Sequence, residues 1–224
     1  MIPYLAPKEA ARAETEIKKS RFIADIFPVS DAAEAEAAWA RVRKEFYDAT
    51  HHCFACRIGT GLPYEKSSDD GEPQGTAGHP MLHVLRAKDI TNVCVIVTRY
   101  FGGIKLGTGG LSRAYAGAVS ELLETAPILR YVPHMRAHLS VPYDLVGLFE
   151  NTIKDTDVIV ASRNFAETAD MICLVPTSSA ETVRRNLTDL SAARIAWEDI
   201  GEEYVPRRWK HDYARARIAI SHPK

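Results

Sequence analysis

Apolar residues along the first half of the chain switch between the two-residue period of a strand and the 3.6-residue period of a helix. Three apolar runs predict strands, and the last of them is rich in β-branched residues and therefore predicts a buried strand. Helical spacing predicts a helix that Ser30 or Asp31 caps and that runs to about Phe46, a second helix over Met81–Ala87 and a third over Leu111–Leu123. The predicted strands are Glu16–Val29, Cys53–Ile58 and Val93–Tyr100.

A long polar segment, Gly59–Pro80, separates the second predicted strand from the second helix. It is rich in Gly, Pro, Ser and Asp, a composition that predicts a loop. A loop of this length inside a compact domain is usually functional or disordered. The segment is therefore a place to look for candidate site residues.

The alternation restarts near Tyr131–Pro133, where we place a domain boundary. The elements that follow are predicted in the order βαββαβ, which is typical of a ferredoxin-like domain. The predicted strands are Met135–Pro142, Asp157–Phe165, Ala169–Pro176 and Arg194–Ile200, and the predicted helices are Asp144–Lys154 and Ser179–Leu190. We therefore expect an α+β protein with two α/β-sandwich domains, residues 1–132 and 133–205.

The last segment, residues 206–224, predicts a basic tail that is either an extra helix or a mobile arm. Its six cations, set against the single carboxylate of Asp212, are Arg207, Arg208, Lys210, Arg215, Arg217 and Lys224. The formal net charge of the whole chain is only -1. No global field attracts nucleic acid, so any such binding requires a local positive patch.

Cysteine use and hydropathy predict a cytoplasmic protein. The four cysteines lie in apolar or strand-like surroundings and imply no disulfide framework. The first residues lack the basic and apolar regions of a signal peptide. No apolar run approaches the roughly 20 residues that span a bilayer, so we expect no membrane partner. The sequence leaves the oligomeric state open.

The segment Thr98–Leu111 joins the third predicted strand to a helix and contains five glycines and two cations. Glycines let backbone N–H groups come close to a ligand, and a helix that begins near Leu111 directs free N–H groups and a positive dipole end to the same place. The segment lacks the last glycine of a dinucleotide fingerprint and the Gly-Lys-Ser/Thr of a P-loop. It therefore predicts either an anion-binding turn or a tight turn without a ligand. The candidate anion-binding residues are Arg99, Gly102, Gly103, Lys105, Gly107, Gly109, Gly110 and Arg113.

Three carboxylates share the turn from Ser67 to Pro73, namely those of Asp69, Asp70 and Glu72. The spacing of a calcium loop and its closing glutamate are absent, so we predict no metal site, and we predict no cofactor. The turn is interpreted either as a solvated acidic turn or as a set of partners for Arg99 or Lys105.

The run His51-His52-Cys53-x-x-Cys56 has the residue types of a zinc or redox site. Structural zinc takes four ligands, so a further pair would have to join. In a strand, Cys53 and Cys56 point to opposite faces, which favours two core or rim residues. No catalytic set emerges from the spacing. The candidate site-lining residues are His51, His52, Asp69, Asp70, Glu72 and Thr76.

Together these residues resemble the YigZ/IMPACT family. The matching segments, which cover most of residues 16–125, are Lys19–Ala24, Ala49–Cys53, Ser67–Pro73, Thr76–Leu82 and Thr98–Leu111. The resemblance implies an amino-terminal domain with the fold of domain IV of elongation factor G and a carboxy-terminal domain like domain V. Eukaryotic members regulate translation by competing for a ribosome-associated activator, but they carry a different accessory domain, so regulation of their target kinase is not expected here. The resemblance implies a surface that engages RNA, the ribosome or a translation partner, and it supplies no catalytic residues.

Three hypotheses follow. The first is a translation-associated regulatory or binding protein that uses the glycine-rich cationic turn. The second is an enzyme acting on a small phosphorylated or peptide-like substrate in a cleft of His51, Asp70, Glu72 and the glycine turn. Both predict that Asp70, Glu72, Arg99, Gly102, Gly103, Lys105, Gly107 and Gly109 line one surface. The third is a purely structural role for these motifs, and its sign would be a buried ion pair from Arg99 to Asp70 or Glu72.

Overall fold

The computed structural model describes residues 1–209. Contacts divide this part of the chain into an amino-terminal unit built on Ile2–Arg130 and a carboxy-terminal unit, Tyr131–Pro206. Each unit contains helices and strands, which confirms the predicted α+β class. No helix within residues 1–209 combines the length and the apolar character needed to cross a bilayer.

The amino-terminal unit is organised around a five-stranded antiparallel sheet. A short strand, β1 (Tyr4–Pro7), precedes the sheet, and its Leu5 forms a parallel bridge with Ile90. The sheet order is β2-β3-β6-β4-β5. These strands are β2 (Ala11–Ile17), β3 (Ser20–Pro28), β4 (His51–Ile58), β5 (Tyr64–Ser68) and β6 (Val93–Tyr100).

Helices cover both faces of this sheet. On one face lies α1 (Ala32–Glu45), which Asp31 caps as predicted. On the other lie α2 (Gly78–Ala87) and α3 (Thr108–Thr125). Strand β6 is therefore apolar on both faces, as its continuous β-branched run predicts. Cys53 and Cys56 belong to opposite cores, also as predicted.

Two of the sequence-based elements are wrong in detail. The predicted single strand Glu16–Val29 contains the end of β2, a turn and β3, because Lys18 and Lys19 adopt φ values of 48° and 63° and reverse the chain. Neither residue is a Gly or Asn that would signal such a turn. The predicted loop Gly59–Pro80 contains β5, an exposed edge strand whose polar residues show no apolar alternation.

The sheet of the carboxy-terminal unit contains β7 (Ile128–Val141), β8 (Ile159–Phe165), β9 (Ala169–Pro176) and β10 (Ala196–Arg208). Strand β9 lies between β7 and β8, and β7 also pairs with β10 and with β1. Helices α4 (Val146–Ile153) and α5 (Ala180–Leu190) pack on one face of it around a separate apolar core. This confirms the predicted βαββαβ, ferredoxin-like arrangement. Arg207 and Arg208 of the predicted tail end β10, while Lys210, Arg215, Arg217 and Lys224 lie outside the described residues.

Candidate anion-binding site

Antiparallel pairing brings two turns of the amino-terminal unit to one end of the sheet. Arg21, near the start of β3, pairs with Tyr100 at the end of β6. The lysine turn, Lys18–Lys19, therefore lies beside the glycine turn, residues 101–107 between β6 and α3. His51 at the start of β4 pairs with Arg99 at the same end.

Gly102 packs directly against the lysine turn. A Cβ on Gly102 would lie 1.9 Å from the carbonyl oxygen of Lys19, a distance that no side chain can adopt. The Gly102 N–H donates to Ser20 Oγ at 3.2 Å. The glycine is required here for close backbone packing, and the two turns are held as one surface.

The amino-terminus of α3 opens beside this surface. Gly107 precedes the helix with a φ of +71°, which favours glycine, and no side chain from residues 1–209 caps the helix. The first helical bond is donated by the Leu111 N–H to the Gly107 carbonyl at 2.9 Å. The N–H groups of the preceding three residues, Thr108 to Gly110, have no helical partner and lie at the positive end of the helix dipole.

Two cations flank these N–H groups. A Cβ on Gly109 would lie 3.6 Å from Arg113 Nη1, so the Arg113 guanidinium extends back to the first turn of α3. Lys105 is exposed and lines a cleft of about 370 Å³ together with Phe101, Gly107 and Thr108. Within the described residues, neither Lys105 nor Arg113 forms an ion pair.

A buried polar network forms the inner wall of the cleft. Arg99 Nη1 donates to Glu72 Oε1 at 2.6 Å, and the Tyr115 hydroxyl donates to the same oxygen at 2.8 Å. Arg99 and Glu72 are only 4% and 8% exposed. His51 Nε2 lies 4.0 Å from Glu72 Oε1, and Arg99 Nη2 donates to Ser20 Oγ at 3.3 Å. The Arg99–Glu72 pair is the buried ion pair that the structural hypothesis named.

Two neighbouring groups, the Cys53 thiol and the Tyr115 hydroxyl, are neutral at physiological pH. Burial raises the pKa of the Cys53 thiol to about 12. Burial also raises the pKa of Tyr115 above its ordinary range, and the neighbouring Cys53 and Glu72 add to the effect. Cys53 is therefore a thiol, not a thiolate nucleophile, and Tyr115 is a hydrogen-bond donor to the carboxylate.

The acidic turn is built by its own hydrogen bonds. The Asp69 carboxylate accepts from the backbone N–H groups of Gly75, Ala77 and Gly78 at 2.7, 2.9 and 2.9 Å, and so caps α2. Burial tends to raise the pKa of Asp69, but these three bonds outweigh it and lower the pKa below its ordinary value. Asp70 Oδ2 accepts from the His52 N–H at 2.7 Å.

The predicted site residues therefore divide into two groups. The first group lies in or beside the cleft, the glycine turn and the first turns of α3. It consists of His51, Glu72, Arg99, Gly102, Gly103, Lys105, Gly107, Gly109, Gly110 and Arg113. Those outside the cleft lining, each hydrogen-bonded within the acidic turn or to its neighbours, are His52, Asp69, Asp70 and Thr76. The Asp70 carboxylate is engaged by the β4 backbone and does not line the cleft, and its place on the surface of the glycine turn stays a prediction.

Sequence reasoning overlooks two features of this surface. Phe101 follows a buried strand and is 47% exposed. Its exposure is evident only once the end of β6 is known. The lysine turn falls inside a predicted strand, although two adjacent lysines before a small residue are unusual in a half-buried strand.

Comparisons with known proteins agree with this architecture. Residues 18–123 match the Impact N-terminal domain, and residues 139–194 match a domain of unknown function, DUF1949. IMPACT family member YvyE of Bacillus subtilis is 37% identical over 93% of this chain and 96% of its own length. The chain belongs to the IMPACT family.

Other IMPACT family members extend the likeness. YigZ of Escherichia coli is 33% identical over 87% of this chain and 97% of its own length. A crystal structure described as a hypothetical protein is 32% identical, with a TM-score of 0.58 over 90% of this chain and 98% of that one. The Impact N-terminal match includes every residue of the cleft, the lysine turn and the glycine turn.

Proposed function

We propose that this IMPACT family member is a translation-associated regulatory protein that binds RNA phosphates, free or in the ribosome, at the glycine turn and the start of α3. Family membership supports the association with translation, because eukaryotic members of the resembled family are translation regulators. The surface supports the chemistry of binding. The observation that carries the proposal is the opening of α3, where three backbone N–H groups without a helical partner lie between Lys105 and Arg113.

Charge balance supports binding at this place and not over the whole surface. The net charge of the chain is -1, so attraction to phosphate depends on cations that no carboxylate neutralises. Arg99 is neutralised by Glu72 and is nearly buried. Lys105 and Arg113 are therefore the cations expected to contact phosphate, and Arg99 is expected to hold the turn in shape.

The test is ribosome co-sedimentation of the full-length protein at about 50 and 200 mM salt. We compare the wild type with Lys105→Ala/Arg113→Ala and with a matched control, Lys8→Ala/Lys88→Ala, which removes the same charge from exposed positions elsewhere in the unit. The proposal expects salt-sensitive pelleting that the control retains and the Lys105/Arg113 variant loses. Equal pelleting of both variants would contradict the proposal, as would no pelleting of the wild type.

A second candidate function is an enzyme acting on a small phosphorylated substrate in the same cleft. The observation that favours it is the carboxylate of Glu72 in the cleft wall, with the His51 ring 4.0 Å away. Glu72 Oε1 already accepts two short hydrogen bonds, which favours a positioning role for this carboxylate. Release of inorganic phosphate from a panel of phosphate monoesters, absent in His51→Gln, would support the enzyme.

A further inference from the structure

We infer that the surface around the glycine turn prefers single-stranded RNA to duplex RNA, with one base stacked on Phe101 and the adjacent phosphates held by the lysine turn and Lys105. This inference rests on the proposed function and names its ligand. It begins with the exposure of an aromatic ring, since nearly half of the Phe101 side chain is open to solvent.

Phe101 is fixed in place on its inner side. Its backbone N–H donates to Thr50 Oγ1 at 3.2 Å. The Arg99 guanidinium lies 5.5 Å from the ring centroid, and the same guanidinium lies 5.4 Å from the ring of buried Phe22. A ring that is anchored by its backbone and by a cation on one side forms a prepared platform, because little conformational entropy is lost when a ligand stacks on it.

Positive charge lies near this ring. Lys105 follows it in the glycine turn, and the lysine turn packs against Gly102. Lys18 and Lys19 are exposed and form no ion pair in the part of the chain that the structure describes. Their left-handed backbone is uncommon for lysine and is maintained by the hairpin.

Three of the carboxylates near this surface are engaged by other side chains, whereas exposed Glu16, two residues before Lys18, forms no ion pair among residues 1–209. Glu72 is held by Arg99 and Tyr115. Glu14 accepts two bonds from Arg21 at 2.6 and 2.8 Å. Asp48 accepts from the Tyr100 hydroxyl at 2.8 Å. Lys18, Lys19 and Lys105 outnumber the carboxylates of Glu16 and Asp48, which no cation neutralises among residues 1–209, so the charge around the ring is positive.

An exposed ring near cations matches the chemistry of a single strand. Unpaired bases present a flat face that stacks on aromatic side chains, whereas the bases of a duplex are already stacked on each other. The groups on which the inference rests are a ring, which stacks on any base, and lysines and backbone N–H groups, which are assigned to phosphates. Binding is therefore expected to tolerate changes of sequence and to depend on strandedness and salt.

The test uses full-length protein and fluorescence anisotropy with labelled single-stranded RNA of about 12 nucleotides, compared with a duplex of the same length. Phe101→Leu keeps the apolar volume and removes the ring, and Phe101→Trp keeps a ring. Ile104→Ala is the matched control, because Ile104 is 42% exposed in the same turn. Lys18→Asn/Lys19→Asn removes the two charges with a residue that tolerates the left-handed backbone.

We expect Phe101→Leu to weaken single-strand binding by about 10-fold or more with an unchanged salt slope. Phe101→Trp and Ile104→Ala should bind like the wild type, and added RNA should quench the fluorescence of the new tryptophan. The double lysine variant should lower the magnitude of the salt slope by about 1.4, for two lost phosphate contacts on a single strand. Duplex RNA should bind more weakly than the single strand.

Several results would overturn the inference. If Phe101→Leu bound single-stranded RNA with wild-type affinity, or if the duplex bound as tightly as the single strand, the inference that a base stacks on Phe101 would be wrong. If Lys105→Ala/Arg113→Ala still lost ribosome binding in that case, the proposed function would stand and only the stacking would fail. No RNA binding by the wild type, with ribosome binding retained, would point to a protein partner and overturn the single-strand proposal.

Discussion

Replacing Glu72 with glutamine removes the charge that balances Arg99 and keeps the size of the side chain. In the folded protein the Arg99 and Glu72 side chains are only 5% and 3% exposed. Arg99 Nε is already buried without a hydrogen-bond partner among residues 1–209. After the substitution, the guanidinium keeps its burial and loses its counter-ion, so the folded state should be destabilised.

The magnitude follows from which bonds survive. Breaking one side of a buried ion pair costs about 3–5 kcal/mol. The amide oxygen of the introduced glutamine can still accept from the Tyr115 hydroxyl, which retains about 1 kcal/mol. We therefore expect Glu72→Gln to lower the free energy of unfolding by about 2–4 kcal/mol. The matched control is Glu14→Gln, whose ion pair with Arg21 is about half exposed and should contribute much less, because water screens it.

Native-state hydrogen exchange is the suitable assay, because it reports the amino-terminal unit separately from the carboxy-terminal unit. Protection of the central amides of β4 and β6 gives the free energy of unfolding for wild type and variants. A loss in Glu72→Gln no larger than in Glu14→Gln would refute the reasoning. It would mean that Arg99 does not depend on Glu72 and is available to a ligand.

Two further predictions concern the turns around the cleft. Gly102→Ala should strongly lower the thermal unfolding midpoint of the amino-terminal unit, because the added Cβ would lie 1.9 Å from the Lys19 carbonyl oxygen. Gly109→Ala should leave the midpoint nearly unchanged, because its Cβ would lie 3.6 Å from Arg113 Nη1, an ordinary contact distance. Asp69 has a lowered pKa in the folded protein, so it contributes stability above its unfolded pKa of about 4, and this contribution is lost as the pH falls through the folded value. Asp69→Asn should therefore be less stable than wild type at neutral pH, and the difference in stability should shrink as the pH falls below about 4. Urea unfolding midpoints of both proteins, measured from neutral pH into acid, test this. A difference in midpoint that stays constant with pH would contradict the reasoning.

Local patterns are sufficient to predict most of the fold. Strand β6 is buried on both faces and therefore has a continuous apolar run, whereas α1 and α3 are buried on one face and therefore have amphipathic spacing. Both patterns can be recognised within the segment itself. The ferredoxin-like unit is predictable for the same reason. The elements that the sequence did not predict are β1, most of β2, the β2–β3 turn and β5. The edge strand β5 has no apolar alternation, and the turn uses lysine in place of glycine.

The sequence by itself determined which residues form the glycine turn and that a helix begins after it. Glycines, cations and the helical spacing of apolar residues are properties of one continuous segment and can be recognised without knowledge of the fold. It could not determine which distant groups meet there. Only the antiparallel pairing of β3, β4 and β6 brings the lysine turn beside Gly102 and His51 near Glu72. Tertiary structure likewise decided that Arg99 pairs with Glu72 and not with Asp70. The fold places Glu72 within hydrogen-bond distance of the Arg99 guanidinium, and it places Asp70 within hydrogen-bond distance of the His52 N–H.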